Sequence, residues 1–362
     1  QSNSHSYTSP YFIGTRSKNE QYNLTASVSS GYYYQWENFA NYNVTIAKKH
    51  NISAMAGMSY IENNSDNVSG NASGADILQA YEPNFLYLSY LKGDAADNVS
   101  NSPGKSASLA YFGRLIYSYD NRYSIQANFR ADAFDSSKLS AENRWGYFPS
   151  VSAGWTISNE KFIKDNVNPG VLSLLKIRAS WGRNGNINVL NNYPYSSTIS
   201  VGNNWYQYHV DQQGAIMSSS PSGLPNPDLT WETVESTNIG INARLFDFVD
   251  VELEFYNKNT KDMLMEIPYS YATGFSGGYG NIGNMNNKGV DVTLGFNVIS
   301  TKDITFNVSG TFNYNKNEIT KLFGGRDEFV VANTGIKYQV GKPLGEFYYT
   351  RWIGVDPATG KQ

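Results

Sequence analysis

Arg122-Tyr123-Ser124-Ile125-Gln126-Ala127-Asn128-Phe129-Arg130-Ala131-Asp132 reads as one β-strand with two chemically different sides. Tyr123, Ile125, Ala127, Phe129 and Ala131 fall on one side, and Arg122, Ser124, Gln126, Asn128, Arg130 and Asp132 on the other, with no residue out of step. Successive side chains of a strand point to opposite faces. The segment therefore asks for an apolar medium on one face and a wet one on the other.

Working outward, the same period recurs. Tyr147, Val151, Ala153, Trp155 and Ile157 oppose Ser150, Ser152, Gly154, Thr156 and Ser158, and Leu175, Ile177, Ala179 and Trp181 oppose Lys176, Arg178, Ser180 and Gly182. Ile239, Ile241, Ala243 and Leu245 oppose Asn238, Gly240, Asn242 and Arg244, and near the end Ile304, Phe306, Val308, Phe312 and Tyr314 oppose Thr305, Asn307, Ser309, Thr311, Asn313 and Asn315. Each strand is about 10 to 14 residues, enough to cross a bilayer at a tilt. Short turns are expected at Lys49-His50-Asn51, Asp120-Asn121, Asp247-Phe248 and Thr301-Lys302-Asp303, and long Gly/Asn/Ser-rich links at 63–105, 135–145, 183–228 and 258–288. Short helices are expected at 158–164, where capping residues lead, and at 76–91, limited by Pro83.

A soluble β-sandwich shows alternation too, with its apolar face packed on a second sheet. Strand length, the two classes of loop and aromatic residues at strand ends favour the membrane instead. Tyr117, Tyr119, Tyr123, Trp145, Tyr147, Trp181, Trp231, Tyr348, Tyr349 and Trp352 stand where interfacial girdles belong. The fold class expected is all-β, an antiparallel transmembrane β-barrel.

Composition agrees. Tyr (28), Gly (32) and a heavy load of Asn and Ser accompany only 16% charged residues, a mixture poor in helix formers. A net charge of −3 supplies no basic patch for nucleic acid. Cys is absent, which excludes disulfides, thiolate metal sites and a cysteine nucleophile. Mean hydropathy is −0.47 and no apolar run reaches the length of a membrane helix, but a β-barrel has the same signature.

Several segments, in order, resemble the SusC/RagA-type TonB-dependent transporters of Bacteroidetes-type bacteria. They include Trp36-Glu37-Asn38, Tyr111-Phe112-Gly113-Arg114-Leu115, Asn143-Arg144-Trp145-Gly146-Tyr147-Phe148-Pro149-Ser150 and Leu175-Lys176-Ile177-Arg178-Ala179-Ser180-Trp181-Gly182. Downstream lie Asn226-Pro227-Asp228-Leu229-Thr230-Trp231-Glu232, Asn281-Ile282-Gly283, Asn287-Lys288-Gly289-Val290, Tyr314-Asn315-Lys316-Asn317 and Gly354-Val355-Asp356. The resemblance implies a barrel of about 22 strands around an N-terminal plug. It further implies a SusD-like surface lipoprotein as partner, dimers of such pairs, and energy drawn from TonB–ExbB–ExbD through an N-terminal TonB box. On this reading residues 1–362 are a partial TonB-dependent receptor β-barrel domain of about a dozen strands, without plug, TonB box or final strands, and unstable alone because of its open edges.

Chemistry-bearing motifs are few. Gly278-Tyr279-Gly280-Asn281-Ile282-Gly283 matches a dinucleotide fingerprint in letters, but a loop leading into a strand is expected there instead of a strand leading into a helix. His5, His50 and His209 are far apart, so no metal site is expected, and His50 is placed in a tight turn. Asp250, Glu252 and Glu254 share one strand face as a polar lining, and no catalytic residues or cofactor are assigned. Trp205, Tyr206 and Tyr208 are the candidate ligand-binding rings, and Arg114, Arg130, Arg178 and Arg244 are expected to line the lumen, most of them paired with neighbouring acids.

The expected role is part of a multi-pass transporter in the outer membrane, importing oligosaccharides or oligopeptides with a SusD-like lipoprotein. A passive porin-like or structural outer-membrane barrel is the alternative, and a soluble carbohydrate-binding or hydrolytic β-sandwich a third reading.

Overall fold

The computed structural model describes residues 1–14, 17–19, 21–74, 76–77, 88, 91–92, 98–135, 137–197, 199–202, 218–221, 223–275, 277–331, 334–349, 352 and 354. Eleven strands form the main sheet in sequence order. They are β1 (Ser2–Thr8), β2 (Tyr22–Ile46), β3 (His50–Gly74), β4 (Asn98–Tyr119), β5 (Tyr123–Phe134), β6 (Trp145–Thr156), β7 (Leu172–Asn186), β8 (Glu232–Leu245), β9 (Val249–Pro268), β10 (Gly277–Ser300) and β11 (Thr305–Lys321). Every neighbouring pair whose register is described is antiparallel. No helix among the described residues is long and apolar enough to cross a membrane.

Two compact units divide the chain. The first holds residues 1–37 and 59–109. In it β1 pairs with the start of β2, from Ser2 opposite Ser29 to Thr8 opposite Asn23. The Glu62 carboxylate there accepts bonds from Tyr60 (2.6 Å) and Tyr32 (3.0 Å) and pairs with Lys105 (3.1 Å).

The second unit, residues 38–58 and 110–362, carries the alternation most plainly. Register stacks Tyr123, Trp155 and Ile177 across β5, β6 and β7, and continues through Ile241, Leu253, Val292 and Phe312 on β8 to β11. That row is apolar throughout. Tyr123 (43%), Trp155 (38%), Ile177 (38%) and Phe312 (64%) in it are open to the surroundings, and Ile241, Leu253 and Val292 are half-exposed. A sandwich would bury such a face under a second sheet. From Tyr123 to Ala131 the band covers about 26 Å along the strand at about 3.3 Å per residue, near the height of a barrel's lipid-facing belt once tilt is allowed for.

Burial occurs elsewhere. Leu139, Ile187, Leu190, Leu229, Trp231 and Leu264 form one closed cluster, and Ile319, Leu322 and Phe329 another, both among the links and strand ends on the long-loop side. Trp231 is therefore no girdle residue, since it is buried against Phe134 and Phe148. Room for these rings comes from Gly146 and Gly185, where an added Cβ would sit 2.4 and 2.2 Å from Phe148.

The turns at Asp120-Asn121 and at Thr301-Lys302-Asp303 fall where they were expected, and those expected at Lys49-His50-Asn51 and Asp247-Phe248 lie one or two residues earlier. Ala47 and Lys48, Asp120 and Asn121, and Phe246 and Asp247 all have positive φ in pairs. Their chains close through Lys49 N–H to Ile46 O (3.2 Å), Arg122 to Tyr119 (2.9 Å) and Phe248 to Leu245 (3.2 Å). Paired positive φ is the two-residue hairpin geometry whose twist suits the flanking strands. His50 accordingly opens β3 instead of sitting in the turn, and its Nδ1 lies 2.9 Å from the Tyr117 hydroxyl.

Two expected links are largely strand. β9 runs to Pro268 and β10 starts at Gly277, so most of 258–288 is ladder, and the Gly278–Gly283 motif lies inside β10, neither phosphate loop nor flexible link. β3 and β4 likewise continue to Gly74 and from Asn98. A ladder is held by backbone bonds and tolerates Gly and Asn where strands approach closely; a Cβ on Gly277 would stand 2.6 Å from the Ile267 carbonyl. Of the proposed helix at 76–91, Asp76–Ile77 pairs instead with Leu91–Lys92, and most of the remainder lies outside the described residues.

The link after β6 does turn helical, as a 3-10 turn (Ile157–Asn159) and α1 (Lys161–Lys164). Glu160 precedes α1 without capping it by its side chain. Its carboxylate turns back to the strand ends, accepting bonds from Tyr123 Oη (2.6 Å), Arg122 Nη1 (2.8 Å) and Trp155 Nε1 (3.0 Å). Tyr123 and Trp155 stack at 6.4 Å. One acid thus fixes two rings at the edge of the apolar band.

Hydrogen bonds from Tyr123, Trp155 and Arg122, in that order, hold the Glu160 carboxyl down to about 2 from its ordinary 4.5. A depressed carboxyl stabilises the fold above its unfolded value and ceases to do so as pH falls through the folded one, so the window runs from about 4.5 down to about 2. In the full-length protein, E160Q is expected to unfold at a lower temperature than wild type at neutral pH and to lose less stability across that window. Heat-modifiable gel mobility at a series of pH values measures both, and parallel curves would contradict the assignment.

Candidate functional site

The polar side of the second unit is the surface on which a solute could be handled. Register builds it row by row. Ser124, Gly154, Arg178, Gly240, Glu254, Asp291 and Asn313 stand side by side across β5 to β11. Arg178 is the long side chain between two glycines and lies across Gly240, where a Cβ would sit 2.6 Å from its Nε and displace the guanidinium. Freed of that obstacle, the guanidinium reaches Glu252 (2.5 Å) and Glu254 (2.6 Å).

Around it is a cavity of about 380 Å³ lined by Ser124, Gln126, Ser152, Lys176, Asn238 and Glu254 among others. A second, of about 510 Å³, lies toward the long-loop side between Arg130, Asp132, Phe148, Asn184 and Trp231. Both carry amides, hydroxyls and paired charges, and the second is walled as well by Phe134, Phe148, Ile187 and Trp231. Such a wall binds polar solutes by exchanging one hydrogen-bond partner for another.

Of the four arginines singled out in the sequence, three pair as expected. Arg130 binds Asp132 (2.8 Å) and lies over the Phe112 ring, Arg178 binds its two glutamates, and Arg244 binds Asp250 (2.6 Å). Arg114 does not; its Nη2 lies 4.0 Å from Met55 Sδ, and among the described residues no carboxylate pairs with it. Asp250, Glu252 and Glu254 are each engaged by an arginine, and the last two share one guanidinium, so they do not stand apart as an acid and a base across a cleft. Trp205, Tyr206, Tyr208 and His209 lie outside the described residues. Among the described residues, no group of three potential metal ligands gathers.

Sequence reading missed a convergence. Segments some 50 to 90 residues apart meet on the long-loop side: Trp231 Nε1 donates to Arg144 O (3.2 Å), Asn143 to Pro227 O (3.3 Å), and Asn226 to Tyr279 O (2.9 Å). Asn281 takes the Thr230 N–H (2.8 Å) and donates to the carbonyls of Thr230 (3.0 Å) and Asp262 (2.8 Å). In the sequence these positions are marked only by the prolines beside Asn226 and the glycine beside Asn281. These bonds brace the links on either side of Trp231, whose ring lines the second cavity.

A family model for "TonB dependent receptor-like, beta-barrel" matches residues 1–360. The chain is 31% identical over 345 residues to the TonB-dependent receptor P39 of Formosa agariphila, covering 93% of this chain and 30% of that protein. To the TonB-dependent receptor SusC of Bacteroides thetaiotaomicron it is 36% identical over 239 residues, 64% of this chain and 23% of that protein. Among solved structures, the RagAB peptide importer in its "open-open" state superposes with a TM-score of 0.79 at 30% identity, covering 98% of this chain and 37% of that one. The chain thus spans between 23% and 31% of the length of the curated relatives it matches.

The ion pairs on the polar side are wet, with the Arg178 side chain 38% and that of Glu254 23% exposed. A double-mutant cycle on R178M and E254Q in the full-length protein is expected to give a coupling of about 0.2–1 kcal/mol, as for exposed pairs in general. Urea titration in detergent measures it. A coupling of several kcal/mol would mean a dry face and would contradict the description of this side as water-lined.

Proposed function

This chain belongs to the TonB-dependent receptor-like β-barrel family, and we propose that residues 1–362 are one part of the barrel of a longer outer-membrane transporter. The transporter imports oligosaccharides or oligopeptides, together with a SusD-like surface lipoprotein, and pairs of the two associate as dimers. Energy comes from TonB–ExbB–ExbD, through a plug and TonB box outside these residues. No catalytic step is assigned to it.

The observation that carries this reading is the division of the sheet in the second unit. One side presents exposed Ile, Phe and Trp, and the other presents Arg178, Glu252, Glu254 and their amide neighbours around two cavities. Lipid is the medium that suits the first, and a hydrated lumen the second. Membership of a TonB-dependent family adds the energy source, and the RagAB likeness supports a large polar cargo. Arg114, Arg130, Arg178 and Arg244 are proposed to line the solute path, and Trp205, Tyr206 and Tyr208 to contact the cargo.

Uptake separates this from a passive barrel. Cells carrying the full-length gene are expected to accumulate labelled oligosaccharide or oligopeptide and to lose that uptake when TonB or the partner lipoprotein is deleted. Uptake that survives TonB deletion would establish a passive pore and overturn the proposal.

A further inference from the structure

Directly above the apolar band, on the long-loop side, the outward face of the second unit changes character within one residue row. Phe255, Val290 and Tyr314 are the last apolar row on β9, β10 and β11; two residues on, the register places Asn257, Lys288 and Lys316 side by side. Lys288 and Lys316 stand directly opposite one another, and both are exposed. Like charges in directly opposed positions repel. Lys316 has a partial remedy in Glu318 at 3.0 Å; for Lys288 no carboxylate partner is found among the described residues.

The next rows keep the imbalance. Arg183 (2.6 Å) and Lys261 (2.5 Å) share the single carboxylate of Glu235. Among the described residues, Lys288, Lys316, Lys261 and Arg183, the last also bordering the second cavity, are thus served by two carboxylates, Glu235 and Glu318. The Asn286 amide donates to Asn257 (2.5 Å) and Asn259 (2.6 Å), which holds polar side chains upright beside Lys288.

We infer that Lys288 and Lys316 form a docking site for the phosphate of a membrane lipid headgroup in the leaflet on the long-loop side. The inference rests on the membrane reading above and adds a specific lipid contact to it. Position argues for a lipid over a dissolved anion. Lysine stems run along apolar surface and carry their ammonium groups to the headgroup level, and the Phe255, Val290 and Tyr314 row immediately below offers a wall to the chains of the same molecule. A headgroup phosphate there cancels the charge that the cross-strand pair leaves uncompensated.

The test uses the full-length protein in detergent, with lipid A carrying its phosphates as the probe and binding read by native mass spectrometry. Wild type is compared with K288Q/K316Q, with the single variant K288Q, and with K48Q/K302Q, which removes the same charge at the short-turn end. Heat-modifiable mobility shows that each variant is folded; a wild-type protein without it would sink the membrane reading itself. The dissociation constant for lipid A is expected to rise at least about ten-fold in K288Q/K316Q and to a smaller extent in K288Q, and to stay within about two-fold in K48Q/K302Q. Equal weakening in both double variants, undiminished binding of phosphate-free lipid A, or full displacement by millimolar inorganic phosphate would each overturn the inference.

Discussion

Backbone hydrogen bonding between neighbouring antiparallel strands is the constraint on which the rest of this structure depends. In hydrocarbon an unpaired N–H or C=O has no water to turn to and costs several kcal/mol, by general estimates of such burial. A strand crossing lipid must therefore be paired along its whole crossing length, whatever its side chains are. That requirement accounts for the unbroken pairing through the apolar band, as from Val249 to Phe255 on β9 and from Phe296 to Val290 on β10; beyond the band the same strands continue through Gly- and Asn-rich sequence to Pro268 and from Gly277. It also leaves the side chains free to answer to the two media alone, which is why the period-two code is so strict.

Given that ladder, the molecule divides its chemistry by location. The outward face holds apolar residues without burying them in protein, and the opposite face holds charges neutralised in place, with Arg178 laid across Gly240 to meet Glu252 and Glu254. Closed protein cores occur where the strands end, around Trp231 and around Ile319. At the short-turn side no such core is needed, because two-residue turns and the Glu160 carboxylate already order the chain.

Much of this was legible from the sequence, and the reason is physical. Tyr123 to Asp132 declares its two faces because lipid and water select opposite side chains, and the pairing of Arg130, Arg178 and Arg244 with nearby acids follows from the same face assignment. Composition misled where it was asked to mark strand ends. Asn281 and Gly283 look like loop residues, yet they sit in β10, where the amide side chain of Asn281 bonds across to Thr230 and Asp262. Trp231 looked like a girdle ring because it stands at a strand start; only the long-range packing of Phe134 and Phe148 buries it. Glu160 was illegible for a similar reason, since its partners Arg122 and Tyr123 lie 38 and 37 residues away.

The account stands on the outward face of the sheet meeting lipid. Nitroxide scanning of positions 123 to 130 in the full-length protein, reconstituted in bilayers, tests this directly. Labels at Tyr123, Ile125, Ala127 and Phe129 are predicted to collide with oxygen and to be shielded from a water-soluble nickel chelate, with the reverse at Ser124, Gln126, Asn128 and Arg130. Uniform access to nickel, or an accessibility without the two-residue period, would contradict it.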